Sequence, residues 1–230
     1  MRARVLDFET TDEPKDDVPA GVIEAGWCDV VDGVPEAAPV SLLVNPGLPI
    51  AIKARAVHHL SADDLAGAPP PDIAFRRLME GSPDYFVAHN ADFERHFFRG
   101  GEIPWICTYK VALRLWPDAP GHGNQALRYF LDLACDRDLA APPHRAGPDA
   151  YVTAHLFAKI LDEGVDLDAM VRWSNGPSLL PVIGFGKHKG SKWEDVPSDY
   201  LRWVVDKSDL DRDAKANAKH HLKLREEWRS

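Results

Sequence analysis

The sequence has little cysteine, no long apolar run and a shortage of basic residues. Cys28, Cys107 and Cys135 are the three cysteines of 230 residues, and they lie far apart. Their odd number and the lack of C-x-x-C spacing argue against a zinc cluster and a disulfide framework. No apolar stretch approaches the roughly 20 residues that span a bilayer. The start, MRARVLDFETTDEP, lacks the apolar segment of a secretory signal. The expected location is therefore cytoplasmic, with no membrane partner. Lys and Arg number 27 against 36 Asp and Glu, a net charge of −9. One broad basic face for nucleic acid would tilt this balance the other way. At 45% apolar residues the chain suits an ordinary globular protein, which excludes a disordered segment or a fibre.

The charge is unevenly spread. Residues 1–175 carry 16 basic and 27 acidic side chains, a balance of −11, whereas residues 176–230 carry 11 and 9, a balance of +2. An acidic part that gathers divalent cations and a small basic appendage facing nucleic acid fit this division. Ordinary solvated surfaces fit it too.

Patterning predicts strands over residues 2–8, 22–31 and 40–44, with Asp32-Gly33 as a hairpin turn. Helices are expected over 51–60, 61–66 with Ser61 as N-cap, 72–80, 91–99, 109–115, 125–135 and 149–163. Short apolar strands are expected at 85–88 and 105–108. Three strands followed by alternation imply an α/β fold, a mixed sheet flanked by helices. Gly164, Asn175-Gly176-Pro177 and Pro181 mark a linker, so the expected division is a catalytic domain over 1–165, a linker over 166–181 and a small module over 182–230. In the module, the Gly-rich stretch 184–190 reads as a tight turn between short strands, followed by helices over 198–207 and 211–229.

Three segments carry chemistry. Asp7 and Glu9 are two residues apart in the first strand, so both carboxylates project from one face. Two like charges held together repel unless a cation neutralises them, and hard oxygen ligands suit magnesium or manganese. His89-Asn90-Ala91-Asp92-Phe93-Glu94 opens a helix after an apolar strand. His144-Arg145-Ala146-Gly147-Pro148-Asp149 places a histidine five residues before an aspartate at a helix start, where Pro148 suits the first turn.

In order and spacing these segments resemble the three motifs of the DEDD superfamily of 3′–5′ exonucleases, in its histidine-bearing branch. Asp7-Phe8-Glu9-Thr10-Thr11 is similar to D-x-E-T-T-G, His89-Asn90-Ala91-x-Phe93-Glu94 to H-N-A-x-F-D, and His144-Arg145-Ala146-x-x-Asp149 to H-x-A-x-x-D. Residues 105–110, 113–117, 185–190 and 199–203 extend the resemblance, toward the bacterial exonuclease X family, across nearly the whole chain. Two positions depart from the pattern. Asp12 stands where the family has glycine, and the family's second-motif aspartate falls on Glu94, with Asp92 as the alternative.

The resemblance implies a ribonuclease H-like fold and hydrolysis of DNA from its 3′ end, releasing mononucleotides with two Mg²⁺ or Mn²⁺ ions. It implies metal binding by Asp7, Glu9 and Asp149, with Asp7 bridging the ions and Glu94 acting through the second. His144 becomes the general base, a role that an imidazole side chain commonly fills. Thr10, Thr11 and His58 fall where the family holds its substrate. Phe8 and Phe93 fit either an apolar wedge or the core. An exoribonuclease acting on RNA, or a non-catalytic nucleic-acid-binding relative, remain the alternatives. Lys187, Lys189 and Lys192 beside Trp193 fit contacts to phosphate and stacked bases; the simpler reading is a solvated hairpin held by Trp193, Tyr200 and Trp203 as core aromatics.

Overall fold

The computed structural model describes residues 1–15, 18–206 and 209–227. Strand β1 (Arg2–Thr10) pairs antiparallel with β2 (Val22–Val31). The Asp32-Gly33 turn, with both φ angles positive, leads to the short β3 (Val34–Pro35). Strand β4 (Val40–Leu43) pairs with a different stretch of β2. On its other side β1 pairs parallel with β5 (Tyr85–Ala88), and β5 with β6 (Trp105–Cys107). The order β3-β2-β1-β5-β6, with β4 beside β2, is the expected mixed sheet.

Strand alternation sorts the side chains onto two faces. Ala3 and Val5 of β1, with Cys28 and Val30 of β2, face α6 (Ala146–Asp162) and bury Val152, Leu156, Phe157 and Ile160. Each such apolar side chain stabilises by about 1.5–3 kcal/mol when fully buried. Leu6 and Phe8 face the other way, into a cluster with Leu78 of α2 (Pro71–Met79), Phe86 and Phe98. Arg4 shares that second face. Its guanidinium grips Asp29 at 2.8 Å through two nitrogens and donates to the carbonyls of Arg77, Leu78 and Glu80, bolting the end of α2 to the sheet.

Several boundaries differ from the sequence pattern. Residues 61–66 form turns in place of a helix. The Ser61 hydroxyl and N–H both donate to the Asp64 carboxylate, and no amphipathic stretch follows to extend the turn. The helix expected over 125–135 is α5 (Asn124–Phe130), which gives way to a turn where Asp132 takes a left-handed φ of 49°. The expected linker 166–181 contains α7 (Leu167–Asn175). Asp166 caps it by accepting the Ala169 N–H, Met170 is fully buried in the α6 cluster, and the Ser174 hydroxyl accepts the Cys107 N–H at 2.7 Å. Only 176–181 connects onward.

Beyond it, Ile183, Trp193, Val196, Leu201, Val204 and Ala218 form a separate cluster between α8 (Ser198–Asp206) and α9 (Arg212–Glu227). The expected short strands reduce to one bridge, Val182 to Lys192, and the Gly-rich stretch makes a 3-10 turn at Gly186–His188. Lys207 and the expected helix end at 228–229 lie outside the described residues. Asn217 of α9 accepts the Leu180 N–H and donates to the Ser178 carbonyl, tying the helix to the connecting segment.

Candidate active site

The register of β1 and β2 builds the site. Asp7 lies opposite Gly26, and Glu9 opposite Glu24, on the face covered by α6. A Cβ at Gly26 would overlap the carbonyl of Ala146 and the nitrogen of Gly147, so the start of α6 sits directly on the β2 backbone. That seating carries Asp149, in the first turn of α6, to Asp7 and Glu9. Ligand oxygens of the three carboxylates lie within 4.8 Å of one another.

Glu24 anchors the same helix start. It accepts two bonds from the Arg145 guanidinium, at 2.7 and 2.8 Å, and one each from the Ala146 N–H and the Ser41 hydroxyl. Burial favours its neutral form, but these donors outweigh that and hold its carboxyl below the usual range. The other four carboxylates go the opposite way. Burial, then repulsion from Glu94, Asp149 and Glu9, raises Asp7 well above the carboxylate range. Burial and Asp149 push Glu9 up to about 8. Asp149 is raised by burial despite bonds from the His144 N–H at 2.7 Å and the Gln125 amide at 3.1 Å. Glu94 is raised chiefly by burial, and its Oε2 has no partner in the protein. Four carboxylates that resist ionisation together form a site short of positive charge. A buried Glu94 oxygen without a partner and close-set hard ligands match the requirements of a divalent cation, so the donor set fits such an ion.

Asp92 and Glu94 part company on α3 (Ala91–Phe97). Glu94 is buried toward Asp7, whereas Asp92 is 55% exposed and pairs at 2.6 Å with the buried Lys110 of α4 (Thr108–Leu115). His144 sits at a left-handed φ of 61°, just before α6. With Asp7, Asp149, His89 and Gln125 it lines a cavity of about 380 Å³.

His89 is a wall of that cavity. Its Nε2–H donates to the His122 carbonyl at 2.8 Å, Nδ1 takes the Thr108 hydroxyl, and burial holds its pKa down to about 4. His58, at the end of α1 (Ile52–His58), is 3% exposed; Nδ1 accepts the Leu60 N–H and Nε2 has no protein partner. Burial lowers its pKa.

Thr10 and Thr11 are buried, and their polar groups work within the turn. The Thr10 hydroxyl donates to the Asp12 carbonyl, and Thr11 exchanges bonds with Gly21 through both backbone and hydroxyl. Asp12 takes no left-handed φ, so the turn does not need the family's glycine; its carboxylate binds Lys53 instead. Phe8 is core, packed near Phe75. In the C-terminal part Trp193 is 1% exposed and stacked on His221, so no base can stack on it, while Trp203 stays 45% exposed.

Sequence reasoning did not single out Glu24, Arg145, Asn124 or Gln125. Glu24 had a signal, as a carboxylate flanked by apolar residues in β2. Asn124 and Gln125 had none.

No family model matches the chain. The curated exodeoxyribonuclease 10 of Escherichia coli K12 is 33% identical over 224 residues, covering 95% of this chain and 98% of that protein. This chain belongs to the exodeoxyribonuclease 10 family. In the solved structures, a member of this family described as exonuclease X in complex with 5′ overhanging duplex DNA matches with a TM-score of 0.65 and 31% identity, over 75% of this chain and 99% of that one. The nuclease domain of 3′hExo, a DEDDh family member bound to rAMP, shares the fold at a TM-score of 0.54 and 13% identity, over 71% of this chain and 92% of that one. A DNA polymerase III subunit epsilon-like protein of Rhodobacter capsulatus is 30% identical over 172 residues, 68% of this chain and 23% of that protein. Exodeoxyribonuclease 10 is thus matched over both the nuclease region and the C-terminal part. Among the described residues, no helix is long and apolar enough to cross a membrane.

Proposed function

We propose that the protein is a divalent-metal-dependent 3′–5′ exodeoxyribonuclease that removes mononucleotides from DNA ends. The observation that carries this reading is the convergence of Asp7, Glu9 and Asp149 within 4.8 Å, with Glu94 buried toward them and His144 at the mouth. Asp7, Glu9 and Asp149 would hold two Mg²⁺ or Mn²⁺ ions, with Asp7 shared between them. When bound, such ions neutralise the phosphate, lower the pKa of water and stabilise the departing 3′-oxygen. Glu94 completes the negative wall. His144 takes the proton from the attacking water. Its backbone bond to Asp149 ties the base to a ligand, so the two hold register. His89, neutral and fully bonded, is left out of proton transfer. His58 is buried against the Thr10 backbone and bears on the substrate only through the turn that Thr10 and Thr11 hold.

The test is digestion of end-labelled single- and double-stranded DNA and RNA with Mg²⁺, with Mn²⁺, and with EDTA. The reading expects stepwise loss of 3′ nucleotides from DNA, abolished by EDTA. Activity untouched by EDTA, or confined to RNA, contradicts it.

A further inference from the structure

On α3 and just beyond it, Asp92, Arg95, His96 and Arg99 recur at helical spacing, on a different side from Glu94. With Asn175 at the end of α7 and Arg212 at the start of α9 they line an open recess of about 560 Å³. Arg95 donates to the Asn175 side-chain oxygen and Arg212 to the Asn175 carbonyl, both at 3.1 Å. One residue therefore orients two guanidinium groups from different parts of the chain. Among the described residues, Asp92 is the one carboxylate lining the recess, and it is held by the buried Lys110. Among the described residues, none of the ion pairs involves Arg95, Arg99 or Arg212.

Three arginines from two parts of the chain thus gather on one recess, with no carboxylate partner among the described residues. Their mutual repulsion favours an anion, and planar guanidinium forks match phosphate oxygens. We propose that this recess binds the sugar–phosphate backbone of the substrate DNA at a phosphate away from the scissile bond, and that Arg212 gives the C-terminal segment its part in substrate binding. This rests on the nuclease reading above. Glu94 and the arginines share one short helix, so a strand seated on the arginines is held in fixed relation to the carboxylates.

The experiment compares the full-length protein with an Arg99→Gln/Arg212→Gln double variant; both side chains are exposed, so the fold should survive. Two substrates are used with Mg²⁺: a duplex with a 5′ overhang, and the p-nitrophenyl ester of thymidine 5′-monophosphate, which is too small to span both places. Binding of the duplex is measured with Ca²⁺ at several salt concentrations. The proposal expects KM for the duplex to rise about tenfold with kcat kept, and the slope of log affinity against log salt to fall by about 1–2, near 0.9 per phosphate lost. Ester hydrolysis should be equal in both proteins. Unchanged duplex KM and salt slope overturn the recess. So does inorganic phosphate or dTMP binding to the wild type and not to the variant while duplex affinity is equal, which would make it a pocket for free anions. A wild type that hydrolyses neither substrate contradicts the nuclease reading instead.

Discussion

Glu94 and Asp92 sit two residues apart and meet opposite surroundings. Glu94→Gln should lower kcat by about 10²-fold, because it removes a charge buried toward Asp7. Asp92→Asn should leave kcat within a few-fold and cost about 1–3 kcal/mol of stability, since Lys110 keeps its carbonyl partners but loses its counter-charge. Steady-state kinetics and urea melts on the pair decide which carboxylate belongs to the site. Glu9 gives a pH signature. Its carboxyl lies near 8 in the folded protein and 4.5 is its ordinary value. Between those values the folded chain holds a proton that the unfolded chain has released. The stabilisation is complete below about pH 4.5 and is lost as pH rises through about 8. Metal-free wild type should therefore lose stability relative to Glu9→Gln as pH rises from 5 to 8, and Mg²⁺ should reverse the difference. A gap between their melting temperatures that stays constant with pH would contradict the electrostatic reading.

At the scale of elements, the site depends on how α6 lands on β2. Gly26→Ala inserts a methyl group where the Ala146 carbonyl lies. Strand and helix must separate, at a cost of about 1–3 kcal/mol or more. Asp149 then leaves the trio, so activity should fall well beyond what the stability loss explains, with metal affinity falling in parallel; calorimetric Mg²⁺ titration of folded variant measures this. Retained affinity would mean that Asp149 reaches the site by another support. The strands were legible from alternation, and Asp7 and Glu9 followed from period two. The seating at Gly26 was not legible, because nothing local in β2 tells which helix will cover it. α7 was missed because Gly164 and Asn175-Gly176-Pro177 flank it closely, and its burial of Met170 is a tertiary contact. Asp166 as N-cap was the available sign.

Across the whole molecule, the carboxylates that resist joint ionisation and the arginines of the recess sit on different sides of α3. Asp7, Glu9 and Asp149 concentrate acid in one cluster with Glu94 near it, and Arg95, Arg99 and Arg212 concentrate base in the recess. That Asp7, Glu9, Glu94, His144 and Asp149 share one region was legible only through the resemblance of the three motifs, in their order and spacing, to a known family. Arg212 and Asn175 could not be joined to Arg95 from sequence, since only the packing of α7 and α9 brings them near. The most direct measurement is mononucleotide release from a 3′-labelled duplex by wild type, Asp7→Asn and His144→Ala, with Mg²⁺. Wild type should release nucleotides steadily, Asp7→Asn should retain less than about a thousandth of the rate, and His144→Ala should lose about 10²–10⁴-fold while still binding Mg²⁺. Asp7→Asn with more than about a tenth of wild-type activity would contradict the account.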